Sequence, residues 1–284
     1  MRALLIKIIL QILALLPLKA THKIASLIGG AIAKRPNLRI TKVTRTNIRL
    51  CFPQLSDQAQ EELTKASLIE TCKTYSELGA LWLWKVDKVL GLVQKVSGEE
   101  CLADKNRVLI LTPHLGAWEL AALYVSSRYK LIGLYRRPKL LGLDKFIRKA
   151  RERAGGQLVA TDKSGIRALY QALRRGQMAG ILPDQVPNEA NSGEFAPFFG
   201  IPAYTMVLVS RFARKSGATV IFTYAERLPE GRGFHLHFFP APKEMTETAL
   251  NKGIEQCVKT CPAQYQWSYK RFKRRPEGEA SVYE

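Results

Sequence analysis

Apolar residues fall in short blocks separated by polar turns, and the block lengths alternate along the middle of the chain. Val108-Leu-Ile-Leu111, Leu131 to Tyr135, Gln157 to Ala160 and Met178 to Leu182 are runs of strand length rich in aliphatic residues. Longer stretches between them read as helices: a mostly apolar one over Leu115 to Ser126, a basic one over Gly142 to Ala154, and one over Ile166 to Arg175. Ser164 is a cap for the last of these and Gly176 its terminator. Upstream, residues 56 to 90 predict a long helix with Ser56 or Asp57 as N-cap. Downstream, Val220 to Tyr224 and Phe234 to Phe239 predict strands, and the loop Leu228-Pro-Glu-Gly-Arg-Gly233 makes them a hairpin. The alternation predicts an α/β fold, a central mostly parallel sheet flanked by helices.

Ala3 to Leu18 departs from this pattern. It is nearly all apolar, with Lys7 and Gln11 on a narrow polar stripe, and is shorter than the roughly 20 residues needed to cross a bilayer upright. An interfacial helix or a short tilted span fits. Leu18-Lys-Ala20 offers no small-x-small cleavage site, so the segment is expected to stay attached. The expected organisation is an N-terminal membrane anchor over residues 1–20 and a single domain over 21–284. Lys19, Lys23, Lys34 and Arg35 follow the apolar stretch whereas only Arg2 precedes it, which places the body on the cytoplasmic face.

Charge sharpens the picture of partners. The chain has 284 residues, with 44 Lys and Arg against 24 Asp and Glu, a net charge of +20. An anionic partner is implied. No nucleic-acid fold signature accompanies the charge, and the basic residues are spread along the chain, so nucleic acid is not the expected partner. Five cysteines without a Cys-x-x-Cys pair argue against structural disulfides. His235 and His237 alternate on one strand face with no companion ligands nearby in sequence, which reads as a solvated face rather than a metal pair.

Three predicted strands end in residues able to do chemistry. His114 and Glu119 follow the first, Arg136 and Arg137 the second, and Asp184 the fourth. A parallel sheet brings such ends to one edge. Residues five apart on a straight helix are separated by roughly 140°, so His114 and Glu119 share a site only across a bend, which Thr112-Pro113 and Gly116 provide. With Glu119 on one ring nitrogen, His114 can act as a general base toward a hydroxyl. An ordinary turn histidine and a solvated helix-start acid are the plainer alternative. Asp184 either orients Arg136 or shapes a turn, and Phe198 and Phe199 either line a substrate groove or pack a turn.

The segments Thr112-Pro-His-Leu-Gly-Ala-Trp-Glu119, Leu134-Tyr-Arg-Arg-Pro138, Leu182-Pro-Asp-Gln185 and Gln264-Tyr-Gln-Trp-Ser-Tyr-Lys-Arg-Phe-Lys-Arg-Arg-Pro-Glu-Gly278, with the apolar leader, resemble the late acyltransferases of lipid A biosynthesis, the lauroyl and myristoyl transferases. The resemblance spans nearly the whole chain. It implies an acyltransferase-like fold at the cell inner membrane, with acyl carrier protein as donor and a phosphorylated glycolipid, the lipid A precursor, as acceptor. By position it makes His114 the catalytic base, Glu119 its carboxylate partner, Arg136 the family's arginine and Asp184 the acid of the third motif; Arg137 shares the arginine motif. No metal or organic cofactor is required for such a transfer. A related enzyme acting on a lysophospholipid, ornithine lipid or other glycolipid is the alternative. The basic clusters Lys145, Arg148, Lys149, Arg151 and Arg153, and Arg271, Lys273, Arg274 and Arg275, are candidates for anionic partners or plain solvated faces.

Overall fold

The computed structural model describes every residue except Asp104, Lys105, Asn188, Ala190 and Glu284. A seven-stranded sheet forms its centre, in the order β1-β9-β8-β2-β5-β3-β4. These are β1 (Val93–Ser97), β2 (Val108–Leu111), β3 (Leu131–Tyr135), β4 (Gln157–Ala160), β5 (Met178–Ile181), β8 (Thr219–Arg227) and β9 (Phe234–Pro240). All neighbours run parallel except β8 and β9, the expected hairpin. β2 is buried at every position because helices cover both faces.

One face packs α8 (Lys163–Arg174), α9 (Leu208–Ser216) and α10 (Glu247–Thr260) over Leu109, Leu111, Ile181 and Phe222. The other packs α6 (Trp118–Arg128) over Val108, Ile110, Ile221 and Leu236. Asp162, rather than Ser164, caps α8: its carboxylate accepts from Gly165 N–H at 2.9 Å and from the Ser164 hydroxyl at 2.6 Å. Asp is a stronger acceptor than Ser and holds that hydroxyl as well. Gly176 has φ +77° and ends the helix as expected.

The leader is two helices, α1 (Arg2–Leu15) and α2 (Leu18–Ala33), broken before Pro17. Residue 20 lies inside α2. After α3 (Arg39–Cys51) comes α4 (Asp57–Leu83), which Ser56 caps and on which both leader helices pack. The α1–α4 crossing is so close that a Cβ on Gly79 would meet Leu10 O at 2.7 Å and Ala14 N at 2.8 Å. At 14 residues α1 is about 21 Å long, short of a bilayer's hydrocarbon core. Among the described residues no helix is long and apolar enough to cross a membrane. The expected continuous helix over 56–90 instead breaks at Trp84 into α4 and a short α5 (Val86–Leu90), where Arg153 donates to Leu81 O at 2.7 Å and Trp84 O at 3.3 Å, and Trp84 Nε1 donates to Ala14 O at 2.7 Å. Tertiary bonds replace the helical ones.

A buried ion cluster joins these helices to the sheet. Arg227 of β8 holds Glu77 through Nε at 2.9 Å and Nη2 at 2.6 Å, and Glu70 at 2.6 Å, while His22 of α2 reaches Glu77 at 3.1 Å. Burial alone would raise the Glu77 pKa, but the Arg227 guanidinium outweighs it and holds the carboxyl below its usual range.

Candidate active site

The parallel register of β2 and β5 assembles the centre of the site. Leu111 sits opposite Ile181, and Thr112 N–H still donates to Ile181 O at 3.0 Å. Each strand then runs into a proline, Pro113 or Pro183, which has no N–H to continue the ladder. The next residues, His114 and Asp184, lie the same step beyond the paired ends and meet. His114 Nδ1–H donates to Asp184 Oδ1 at 2.7 Å, and His114 backbone N–H donates to Oδ2 at 3.0 Å. Asp184 is 2% exposed. Burial would raise its pKa, but the His114 charge and these donors more than offset that and keep it ionised.

An ionised carboxylate only accepts, so it fixes the proton of the neutral ring on Nδ1 and leaves the lone pair on Nε2. The Gln185 amide nitrogen lies 3.3 Å from Nε2, positioned to donate to it, and 3.4 Å from Gln266 Oε1. Trp118 packs edge-on against the ring, with centroids 5.1 Å apart.

Glu119 is not the partner of His114. Its carboxylate is held by Arg151 of α7 (Asp144–Glu152), through Nε to Oε2 at 2.9 Å and Nη2 to Oε1, and by Trp82 Nε1 at 3.1 Å. The helix explains the difference. Gly116 and Ala117 N–H donate to Gln264 O and Ala225 O, so α6 begins only at Trp118 and carries Glu119 toward α7 rather than back to His114. Gly116 has φ +59°, and a Cβ there would lie 2.0 Å from Ala225 O, so only glycine lets the turn approach β8. Burial pushes the Glu119 pKa up, Arg151 pulls it further down, and the His114 charge adds a smaller lowering effect. Glu119 is therefore an ionised neighbour of His114 that gives its hydrogen bonds to Arg151 and Trp82.

An apolar cleft opens between the sheet and α7. Thr112, Trp118, Glu119 and Arg151 line it near the chemistry, and Ile110, Leu123, Leu131, Gly133, Leu158 and Gly180 line the rest. His114 lies outside this lining and meets it through Trp118.

Other expected site residues sit elsewhere. Arg136 and Arg137 are exposed just past the end of β3, and the arginines that line the cleft are Arg151, which holds Glu119, and Arg153, both of which the basic-helix reading left among surface charges. Arg148 and Arg153 of the same cluster are also engaged, with Glu152 and with backbone carbonyls. Phe198 and Phe199 are not part of that cleft's lining: they lie at the turn between β6 (Gly193–Phe198) and β7 (Ile201–Met206), pack against each other at 5.0 Å, and meet Phe272 and Trp267 in the core. Arg271 is 2% exposed and bonded to Tyr204 O, Thr205 and Asn251, so it is a core strut rather than a phosphate contact.

The C-terminal segment forms the remaining wall. Gln266 N–H donates to His114 O at 3.0 Å, and Gln264 O receives Gly116 N–H at 3.1 Å while its side-chain amide pairs with the Arg227 backbone. A histidine, two buried acids and an apolar cleft thus meet where the segments Thr112–Glu119, Leu182–Gln185 and Gln264–Gly278 converge.

The family model of bacterial lipid A biosynthesis acyltransferases matches residues 2–274. The chain belongs to that family. It is 29% identical to the lipid A biosynthesis lauroyltransferase of Escherichia coli strain K12 over 266 residues, covering 89% of this chain and 86% of that protein. It is 26% identical to the palmitoleoyltransferase of the same strain over 268 residues, 89% and 85% of the two chains. With that strain's myristoyltransferase it shares 24% over 248 residues, 84% and 76%. Family membership makes the chain an acyltransferase of lipid A biosynthesis.

Proposed function

We propose that this enzyme moves a fatty acyl group from the thioester of acyl carrier protein to a hydroxyl of a lipid A precursor, with His114 as general base. The hydrogen bond from His114 Nδ1 to Asp184 carries the reading, because it leaves Nε2 as the basic atom beside an apolar cleft. An alcohol is a poor nucleophile at neutral pH. His114 Nε2 removes its proton as the oxygen attacks the thioester carbonyl, Asp184 stabilises the imidazolium, and collapse of the tetrahedral intermediate expels the carrier thiolate, which takes the proton from Nε2. Gln185 must give up its contact with Nε2 to the acceptor hydroxyl. The amides of Gly116 and Ala117 are already bonded, so we assign the oxyanion to the first amides of α6, at Trp118 and Glu119, which have no acceptor within the helix. The Glu119–Arg151 pair then closes the cleft around the acyl chain.

The surface fits a lipid substrate. Leu4, Leu5, Ile8, Ile9, Ile12 and Leu15 of α1 are exposed, and so are Ile24, Leu27 and Ile28 of α2. Such an array suits a helix pair lying in the cytoplasmic face of the inner membrane, which delivers the acceptor laterally. Lys145 and Lys149, exposed on α7, are the basic residues of that helix available to an acidic carrier protein or lipid phosphates. The test incubates membranes holding the enzyme with acyl carrier protein thioesters of several lengths and a tetra-acylated lipid A precursor, and reads the product by mass. Addition of one acyl chain is expected, abolished in His114→Ala. No gain in mass with any donor would overturn the assignment, and undiminished transfer by His114→Ala would overturn the mechanism.

A further inference from the structure

The hairpin of β8 and β9 carries a second cluster of side chains that acyl transfer does not use. Its register sets Glu226 opposite His235 and Tyr224 opposite His237. Along β9, Phe234, Leu236 and Phe238 are buried, and the alternating His235 and His237 share the other face. Their rings lie 3.8 Å apart between centroids, and the His237 ring stacks on Tyr224 at 4.6 Å. His237 Nε2 is 2.9 Å from Glu226 Oε2, and His235 Nδ1 is 3.9 Å from the same oxygen. One ligating atom from each of the three residues lies within 4.8 Å of the others.

The other nitrogen of His235 is already engaged. Ser97 Oγ of β1 lies 2.8 Å from His235 Nε2. That contact holds the ring so that Nδ1 faces Glu226, the outer hydrogen bond by which proteins orient a metal-binding imidazole.

We propose that Glu226, His235 and His237 bind a divalent transition-metal ion of the zinc class through Oε2, Nδ1 and Nε2, with the remaining coordination position open to water. Ligands at about 2.0–2.2 Å from a tetrahedral ion stand roughly 3.3 Å from one another, a spacing that the 2.9 and 3.9 Å separations bracket. Binding replaces the His237 Nε2 hydrogen by the ion: by exchange with solvent the neutral ring gives up the Nε2 proton and takes one on Nδ1, so that the Nε2 lone pair faces the metal. Two imidazoles and one carboxylate favour zinc, nickel or copper over magnesium or calcium, which prefer all-oxygen sets. The side chains of His235, His237 and Glu226 are 15%, 21% and 29% exposed, so an ion reaches the site from solvent. Once bound, it fastens β9, and β1 through Ser97, to β8, where neighbouring Ala225 accepts the Ala117 N–H of the His114 turn.

The test uses the full chain in detergent, stripped with chelator, loaded with zinc or cobalt, gel-filtered and assayed for bound metal. About one equivalent of zinc per chain should be retained against a magnesium background, and cobalt should give the visible absorption of a nitrogen-ligated ion. His237→Asn and Glu226→Gln should abolish retention, Ser97→Ala should weaken affinity about tenfold, and His114→Ala should leave it intact. The cobalt spectrum of the unaltered chain decides the matter if a variant fails to fold. Zinc no higher than background, retention that survives His237→Asn, or loss of the metal in His114→Ala would overturn the site.

Discussion

Replacing Asp184 by Asn removes the charge beside His114 while keeping the shape of the side chain. Two hydrogen bonds are affected: Oδ1 accepts from Nδ1 at 2.7 Å and Oδ2 from the His114 amide at 3.0 Å. A hydrogen bond to a charged partner contributes about 1.5–3 kcal/mol, and the Nδ1 bond is charge-assisted at both ends only once the imidazolium forms. Its loss falls mainly on the transition state, which at about 1.4 kcal/mol per tenfold is a factor of roughly 10–100. Asn also presents an NH2 group. If that group faces the ring, Nδ1 becomes the acceptor, Nε2 carries the proton and the base is lost, an inversion that takes kcat down by about 10⁴ in the serine protease triad. We therefore expect Asp184→Asn to lower kcat by about 10²–10⁴, with KM changed little because Asp184 is buried away from the cleft lining. The assay is initial-rate acyl transfer with the fold checked by circular dichroism. The double variant His114→Ala/Asp184→Asn should be no slower than His114→Ala alone, since the two act as a unit. A folded Asp184→Asn within threefold of normal kcat, alongside a Glu119→Gln variant that loses far more, would refute the pairing and restore Glu119 as the partner.

Further outcomes follow from the same geometry. Gly133 lines the cleft, and a Cβ there meets only Leu158 Cδ2 at an ordinary 3.5 Å, so Gly133→Val should fold and shift the product toward shorter acyl chains; an unchanged chain-length profile by mass would count against the cleft as the acyl site. Arg151→Met strands the Glu119 carboxylate, 8% exposed, and should cost about 3 kcal/mol, the lower end for a broken buried pair because Arg151 is itself 30% exposed; denaturant unfolding with no loss would contradict this. Asp184, Glu119 and Glu77 all have carboxyl pKa values held below their unfolded ones, so their stabilisation is present above about pH 4–4.5 and disappears as pH falls through the lowered values. Melting temperature should therefore drop steeply on acidification below that point, and a Glu77→Gln variant, already weakened at neutral pH, should show a shallower drop.

Much of the sheet was legible because its strands are nearly continuous aliphatic runs, the pattern of strands buried on both faces. β6 and β7 were not, since Phe195 to Pro202 contains two prolines and a turn at Phe199-Gly200 where both residues have positive φ, 49° and 79°. His114 was legible as a candidate base, and the carboxylate that the structure sets against its ring was visible in outline. Thr112-Pro-His114 and Leu182-Pro-Asp184 are the same strand-ending pattern, but only the adjacency of β2 and β5 shows that they meet. Glu119 misled because spacing along a chain says nothing about which amides a neighbouring segment captures. Arg151 was hidden for a related reason: a basic helix looks solvated until the carboxylate across from it is placed. Glu226 as a companion to His235 and His237 depends on hairpin register, which a sequence spacing of nine residues does not announce.

The wall that the C-terminal segment builds against the His114 turn has a consequence in time. Gln264 and Gln266 are synthesised roughly 150 residues after His114, on the order of ten seconds later at ordinary translation rates. Over that interval α1 and α2 are already out of the ribosome and able to meet lipid, while the histidine turn still lacks the carbonyl that receives Gly116 and the amide that holds its own carbonyl. If the enzyme works as proposed, the nascent chain would meet lipid before the His114 turn is complete, so transfer would begin only after the whole chain is in place, and a product truncated before Gln264 would be expected to bind lipid without acylating it.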